Sequence, residues 1–239
     1  ALNCEGTPVM FMPITQGGHD KALPTVEFIG HSRDLFPSTS SGNTNASLSL
    51  GSADAGRIIV VTTGLQTSNT GAGANSIASM TVAGVSATKV LSNKYSDSTN
   101  IQENGIWYAA VPTGTSGNVV TTFASTTSNG GNTEIGIYKC LRINTTAYDT
   151  GTGNGNPAAS TTIDNTANGI LIAVTGAIGG GTNTFVGVTE NSDDGLNSVW
   201  SCGSEVYSAS GTSRTVSSTI STSTYGSVAL AVASFKPAA

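Results

Sequence analysis

The stretch that decides the fold is Gly105–Phe123, which reads GIWYAAVPTGTSGNVVTTF. Its first part, Ile106–Val111, carries aromatic and apolar side chains on both faces, as a buried strand does. Pro112 ends this strand because proline cannot donate to a central ladder. The glycines of Thr113–Gly117 suit a turn, and Asn118–Phe123 then alternates with the period of two of a second strand. The stretch therefore predicts two strands joined as a β-hairpin.

The rest of the chain repeats this pattern of short apolar runs and glycine-rich turns. Arg57–Thr63 and Ile170–Thr175 are apolar on both faces and predict central strands, and Ala83-Gly84 predicts a tight hairpin. Thr145–Asn168 contains GTGNGNP and predicts a loop. Roughly ten to twelve strands at this spacing indicate an all-β fold, an antiparallel, jelly-roll-like β-sandwich over residues 46–239. No long internal repeat is visible.

Residues 1–45 differ from the rest, since they hold four of the seven prolines. Such a density of proline keeps a chain extended, so we expect an N-terminal arm here. The arm contains five large apolar side chains: Val9, Met10, Phe11, Met12 and Ile14. Burying each is worth ~1.5–3 kcal/mol, against ~1–2 kcal/mol per residue for ordering the backbone. The arm either docks these side chains in a groove of a neighbouring subunit or adds a strand, such as Val26–Gly30, to the same domain.

Composition and charge exclude several classes of partner. Glycine supplies 30 of the 239 residues, nearly twice the usual ~7%. Charged residues make up only 10%, the net charge is −5, and the nine basic residues form no cluster, which argues against nucleic-acid binding. No apolar run approaches the ~20 residues that span a bilayer, and the first residues do not show the basic-then-apolar pattern of a signal peptide. The sequence predicts neither a nucleic-acid nor a membrane partner.

The three cysteines, Cys4, Cys140 and Cys202, match no metal-binding spacing. Cys140 and Cys202 fall in predicted strands, where a free cysteine behaves as a small apolar residue. Two readings stay open: two buried thiols, or a disulfide between residues 140 and 202. The odd number of cysteines argues against a secreted disulfide scaffold.

Two places carry candidate metal ligands. His19, Asp20, His31 and Asp34 are close in sequence, but their spacing matches no zinc pattern. Glu190–Gly195, ENSDDG, is an oxygen-rich segment of the kind that binds calcium, although it lacks the ligand order of an EF-hand and Asx turns explain it as well. We therefore predict no metal and no cofactor.

Catalytic patterns do not appear. The chain has only two histidines and no GxSxG segment, so a serine–histidine nucleophile finds no support. Glycoside hydrolysis needs two carboxylates at a defined separation in one cleft, and sequence alone pairs none of them. The expectation is that the protein is not an enzyme.

The strand aromatics allow a sugar-stacking platform as a second kind of site. The candidates are Trp107 and Trp200, with Tyr108, Tyr138, Tyr148 and Tyr207 as further members. Aromatic side chains on strands more often pack in a core or between sheets. A platform at Trp107 and Trp200 would require both indoles to be exposed.

Four stretches together resemble a β-rich protein type encoded in the genomes of tailed bacteriophages and prophages. They are SLSLGSADAGRIIVVTTG (47–64), MTVAGVSATKVLSN (80–93), GIWYAAVPTGTSGNVVTTFAS (105–125) and TEIGIYKCLRI (133–143). The resemblance covers 47–143 well and 168–235 loosely, and it leaves residues 1–45 uncovered. These motifs describe a strand arrangement and carry over no catalytic or ligand-binding residue.

The resemblance implies a virion structural protein on the exterior of the phage particle. On this reading the protein decorates the head as a cement protein, binds and stabilises the shell of major capsid protein, and acts as a homotrimer. The alternative that the same resemblance allows is a tail fibre or receptor-binding appendage that recognises host surface glycans. The fold alone does not distinguish a head decoration protein from a tail appendage, since β-sandwiches host many functions.

Overall fold

The computed structural model describes residues 22–68, 76–96, 100–127, 130–195, 198–221 and 228–239. In these ranges the regular structure is β-sheet throughout, and all sheet pairings are antiparallel. No described residue lies in a helix long and apolar enough to cross a membrane. The predicted fold class, an antiparallel jelly-roll-like β-sandwich, is confirmed.

The first half of the chain forms one jelly roll. Its strands are β1 (Thr25–Phe36), β2 (Gly42–Ser49), β3 (Ile58–Ser68), β4 (Ile77–Val82), β5 (Val85–Ser86), β6 (Thr88–Ser96), β7 (Asn100–Ala110), β8 (Ser116–Phe123) and β9 (Gly131–Leu141). An inner sheet in the order β1-β9-β3-β7-β6 faces an outer sheet in the order β2-β8-β4-β5. Without the edge strand β6, this is the jelly-roll order of two four-stranded sheets.

The second half of the chain forms a second jelly roll. Its strands are β10 (Asp149–Gly155), β11 (Ala158–Asn165), β12 (Gly169–Ile178), β13 (Asn183–Val186), β14 (Thr189–Asp194), β15 (Ser198–Tyr207), β16 (Gly211–Ile220) and β17 (Val228–Phe235). An inner sheet in the order β10-β17-β12-β15-β14 faces an outer sheet in the order β11-β16-β13. Strand for strand, this repeats the first half, with a counterpart missing only for β5. The single sandwich expected over 46–239 is thus divided between two jelly rolls, and the chain does contain an internal repeat.

The two halves share few identical residues, because what they have in common is the pattern of buried apolar positions. The central strands β3 and β12 align as GRIIVVTTG (56–64) and NGILIAVTG (168–176), which share the Thr-Gly pair at their ends. Both strands are apolar on two faces, because each lies in an inner sheet with a core on either side. Apolar residues of similar size replace one another freely at such positions, so little identity survives.

Three apolar cores hold four sheets in a stack. Within the first jelly roll, Ile59, Val61 and Trp107 pack between its two sheets. Leu171, Val216 and Leu230 do the same within the second. A third core, which contains Val60, Tyr138, Trp200 and Phe235, lies between the two inner sheets. We call this interface between the inner sheets the seam.

The predicted hairpin at Gly105–Phe123 is wrong, although both of its strands exist. β7 pairs with β3 and β6 in the inner sheet, whereas β8 pairs with β2 and β4 in the outer sheet. The connection through Pro112 crosses from one sheet to the other, as a sandwich requires. The hairpin at Ala83-Gly84 does form, since both residues have positive φ and Val82 pairs with Val85.

The predicted loop at Thr145–Asn168 is also wrong, because it contains β10 and β11. The glycines that suggested a loop allow β10 to lie against the backbone of β11. A Cβ atom added at Gly151 would meet the Thr161 side chain at 2.6 Å, and one added at Gly153 would collide with the backbone of Ser160. Glycine in a strand marks such close approach.

The N-terminal arm predicted over residues 1–45 is shorter than expected, because strands begin at Thr25. Thr25–Phe36 pairs with β9 and Gly42–Ser49 pairs with β8, so residues 25–45 belong to the first jelly roll rather than to an arm. For this part the alternative of added strands holds, because the prolines stand outside the ladders or at their ends. The predicted docking side chains Val9, Met10, Phe11, Met12 and Ile14 lie outside the described residues.

Candidate functional site

A charged cluster lies at one edge of the seam. The period of two along β1 places His31 and Arg33 on the face that meets the second jelly roll. His31 Nε2 lies 2.7 Å from Glu134 Oε2 on β9, and Arg33 Nε lies 3.1 Å from Glu134 Oε1. Arg33 Nη1 also lies 3.7 Å from Asp194 Oδ1 on β14. Arg33 therefore links a carboxylate of each jelly roll.

Burial governs the electrostatics of this cluster. The Glu134 side chain is 3% exposed, and its removal from water raises the pKa of the carboxyl group. The hydrogen bond with His31 and the charge of Arg33 oppose that rise. The Asn132 amide, oriented to present its oxygen, accepts from Arg33 Nε at 3.1 Å and Nη2 at 2.8 Å. The guanidinium is thus held by acceptors on two strands.

A metal ion is the chemistry that three of these side chains suggest. His31, Glu134 and Asp194 can each bring one ligand atom within 4.8 Å of the others. Arg33, however, already supplies a positive charge against both carboxylates, so a cation could bind only after the guanidinium moved away. Asp34, predicted to act with His31, is the next residue of β1 and points to the opposite face. His19 and Asp20 lie outside the described residues.

A cleft of about 400 Å³ opens beside the charged cluster. It lies at the end of the first inner sheet, and its larger side chains are Arg33, Leu35, Phe36, Gln66, Asn100 and Asn132. Amide and guanidinium groups of this kind suit a polar ligand, but Arg33 is engaged with both Glu134 and the Asn132 amide oxygen. The hydrogen bonds and ion pairs within the charged cluster therefore explain the positions of these polar groups without a ligand.

The two tryptophans predicted as a glycan platform are buried. Trp107 is 2% exposed inside the first jelly roll, where the Lys89 ammonium lies 4.7 Å from the ring centre. Trp200 is 1% exposed in the seam, and His31 stacks on it at 4.8 Å with an interplanar angle of 18°. The two indoles lie in different cores. They cannot form a shared stacking surface, and the prediction of a platform at these residues is wrong.

The predicted calcium segment Glu190–Gly195 is mostly strand β14. Glu190 accepts a hydrogen bond from the Asn183 side chain at 3.0 Å, and Asp193 accepts from the Asn183 backbone N–H at 3.0 Å. Asp194 turns instead to the charged cluster. Burial raises the pKa values of Glu190 and Asp193, and the charge of Asp193 adds to the rise at Glu190. Glu190 and Asp193 thus share Asn183 as their partner, while Asp194 points to Arg33, so the three carboxylates do not converge on one point.

Cys140 and Cys202 are free thiols and do not form a disulfide. Cys140 and Cys202 are fully buried and unpaired, and both belong to the core of the seam. Burial raises the pKa of both, that of Cys202 to about 12. Neither thiol is a nucleophile at neutral pH, because the reactive species is the thiolate. They serve as small apolar residues.

A second cleft, which we call the base cleft, lies where the described chain begins and ends. It measures about 450 Å³ and is lined by Ala22, Leu23, Pro24, Arg142, Asn168 and residues 237–239. Leu23 is 59% exposed there, and Arg142 Nη1 donates to its carbonyl at 3.1 Å. Sequence reasoning missed this cleft, because it joins residues from the two ends of the chain.

No known protein family matches this chain, and no curated protein is similar to it.

Proposed function

We propose that this protein is a non-enzymatic structural protein on the exterior of a tailed-phage particle. It attaches to the shell of major capsid protein through its N-terminal segment and the surface around the base cleft. It acts as a homotrimer, and its copies together reinforce the shell. The sequence resemblance supports the class of protein, and the base cleft supports the place of attachment.

The observation that carries the proposal is the position of the base cleft at the root of the apolar segment Val9–Ile14. Seven residues, 15–21, separate Ile14 from Ala22. Because a chain spans at most ~3.3–3.6 Å per residue, the apolar segment is tethered within roughly 25 Å of the cleft. The apolar segment and the exposed Leu23 therefore serve a single attachment surface at the base, where a partner would bury both.

The outer face of the second jelly roll supports close packing in an assembly. Most of its exposed side chains on β11, β13 and β16 are short and carry hydroxyl groups, among them Ser160, Thr162, Thr184, Thr215 and Thr219, and Val186 is an exposed apolar one. Hydroxyl groups can meet a neighbour at a lower desolvation cost than charged side chains. With only 10% charged residues in the chain, such faces are suited to contact with other subunits.

The test is decoration of particles that lack the protein. Wild type should bind in numbers comparable to the capsid protein, counted by quantitative mass spectrometry, while deletion of residues 1–20 abolishes binding and leaves the circular dichroism spectrum unchanged. Leu23→Asp should weaken binding at least tenfold. Leu35→Asp is the matched control, because Leu35 is also an exposed leucine, at 72%, but lies at the end of β1 remote from the base cleft. Full decoration by the deletion variant would contradict the proposal.

A further inference from the structure

One row of residues across each inner sheet passes through an equivalent glycine, Gly64 on β3 or Gly176 on β12. The row of the first jelly roll, from β1 to β6, is Arg33, Glu134, Gly64, Asn104 and Asn93. The row of the second, from β10 to β14, is Asn154, Ala229, Gly176, Trp200 and Asp194. Members of a row point to the same face of their sheet, and both rows face the seam.

The centre of the seam contains one contact twice. A Cβ atom added at Gly64 would collide with Trp200, with Nε1 at 2.9 Å. A Cβ atom added at Gly176 would meet Asn104 Oδ1 at 2.7 Å, beside Gln102 Nε2 at 2.6 Å. In the alignment of the rows, Asn104 is the counterpart of Trp200. Each glycine thus leaves room for the equivalent side chain from the other jelly roll.

The edges of the seam repeat a second contact. At one edge, Asn93 Nδ2 on β6 donates to Asn154 Oδ1 on β10 at 2.8 Å. At the other edge, Arg33 on β1 pairs with Asp194 on β14 at 3.7 Å. Asn93 is the counterpart of Asp194, and Asn154 is the counterpart of Arg33. The same two positions therefore meet at both edges, with the roles of the two halves exchanged.

Contacts of this reciprocal kind define an isologous interface, in which residue i meets residue j and j meets i about a two-fold axis. We infer that the two seam faces are one interaction surface in two versions, each fitted to a second jelly roll of the same kind. The chain is then a fused dimer of jelly rolls, with the dimer axis passing between Gly64 and Gly176.

A single large side chain makes the pairing specific for two unlike halves. Trp200 also lies over Gly136, where an added Cβ atom would be 2.9 Å from Cη2. The counterpart of Gly136 in the second jelly roll is Ala231, by the pairings with Thr62 and Val174. Two copies of the second half would therefore clash at Trp200 and Ala231. Two copies of the first half would leave the volume of the indole empty, which disfavours that pairing as well.

The inference is tested by moving the indole across the axis. Trp200→Asn should lower the melting temperature by about 10 °C, because it empties a buried site. Ala231→Gly, added to it, opens the equivalent space on the other side. Asn104→Trp, added to both, should then restore about half of the decrease in melting temperature. In a seam without two-fold equivalence, the same substitution would lower the melting temperature further. A triple variant that is no more stable than the double variant, or is unfolded, would overturn the inference.

A second measurement does not depend on the triple variant. Gly64→Ala should cost less when Trp200 is already Ala, and Gly176→Ala should cost less when Asn104 is already Ala. Coupling at both pairs, read as non-additive shifts of melting temperature in two double-mutant cycles, is the expected result. Coupling at only one pair would show that the central contact is not reciprocal and would likewise overturn the inference.

Discussion

The two jelly rolls share a strand order but differ in how their loops are held. In the first, Arg57 is 1% exposed at the start of β3 and donates to six backbone carbonyls at 2.6–3.2 Å. The acceptors are those of Leu50, Gly51, Ser52, Val111, Thr113 and Gly114. The equivalent position of the second jelly roll is Gly169, whose backbone N–H donates to Thr166.

This difference separates what sets the fold from what fixes a loop. Both halves reach the same strand order, so the order depends on the apolar strands and their pairing rather than on Arg57. The guanidinium instead holds two loops that cross between sheets, including the connection that follows Pro112. The second half turns into β12 through Asn168 at positive φ, and a Cβ atom added at Gly169 would lie only 2.9 Å from the Thr166 carbonyl oxygen, which leaves no space for such a side chain.

The largest expected effect comes from removing this difference. Arg57→Met leaves six carbonyls without this donor, two of them in fully buried hydrogen bonds, and we expect a loss of about 3 kcal/mol, or roughly 6–12 °C in melting temperature. Hydrogen exchange should accelerate at residues 50–52 and 111–114 and stay unchanged in β12 and β17.

The matched control is Arg142→Met, because the Arg142 side chain donates to a single carbonyl among the described residues, that of Leu23 at the surface. It should lose less than about 1 kcal/mol. Equal losses in the two variants, or equal acceleration of exchange in both jelly rolls, would show that Arg57 is not specific to the loops of the first half.

A smaller expected effect is the pH dependence of stability that Glu190 contributes in the second jelly roll. The pKa of Glu190 is raised by burial and by Asp193, so the folded state holds its proton more tightly than the unfolded chain does. This group therefore stabilises the fold less as pH rises from the ordinary carboxyl pKa, ~4.3, through the raised one. Glu190→Gln mimics the protonated form, so it should melt ~1–2 °C above wild type at pH 7.

The gap between Glu190→Gln and wild type should close as pH falls to about 4. Glu27→Gln in the first half is the control, because Glu27 is 61% exposed and pairs only with Lys139 among the described residues. At pH 7 this variant should melt at or slightly below the wild-type temperature, because it loses only an exposed ion pair. A gap at Glu190→Gln that widens on acidification would reverse the sign of the argument.

The strands could be predicted from sequence better than their partners. Ile106–Val111 and Asn118–Phe123 were predicted as strands because alternation and buried apolar runs are local properties. Their assignment to different sheets depends on β2, β3 and β4, which lie far away in sequence. Gly151–Gly155 was misread for the same reason, since its glycines respond to the neighbouring backbone of β11.

The candidate site was less predictable still. His31 was singled out from sequence, but its partner Glu134 is 103 residues away and its stacking partner Trp200 is in the other half. Only the strand order brings them together. Burial was the more common outcome for Trp200, but a core between two sandwiches could not be foreseen while a single sandwich was assumed.

The central claim, two jelly rolls joined about a pseudo-two-fold axis, is tested most directly by crosslinking its two edges. In a Cys4→Ser background, the pairs Asn93→Cys/Asn154→Cys and Arg33→Cys/Asp194→Cys are treated with a short bismaleimide, while Cys140 and Cys202 stay buried. Intact-mass spectrometry should show an intrachain crosslink in both pairs and none in Asn93→Cys/Asp194→Cys, whose residues lie at opposite edges. A crosslink in only one of the equivalent pairs, or in the control, would contradict the claim.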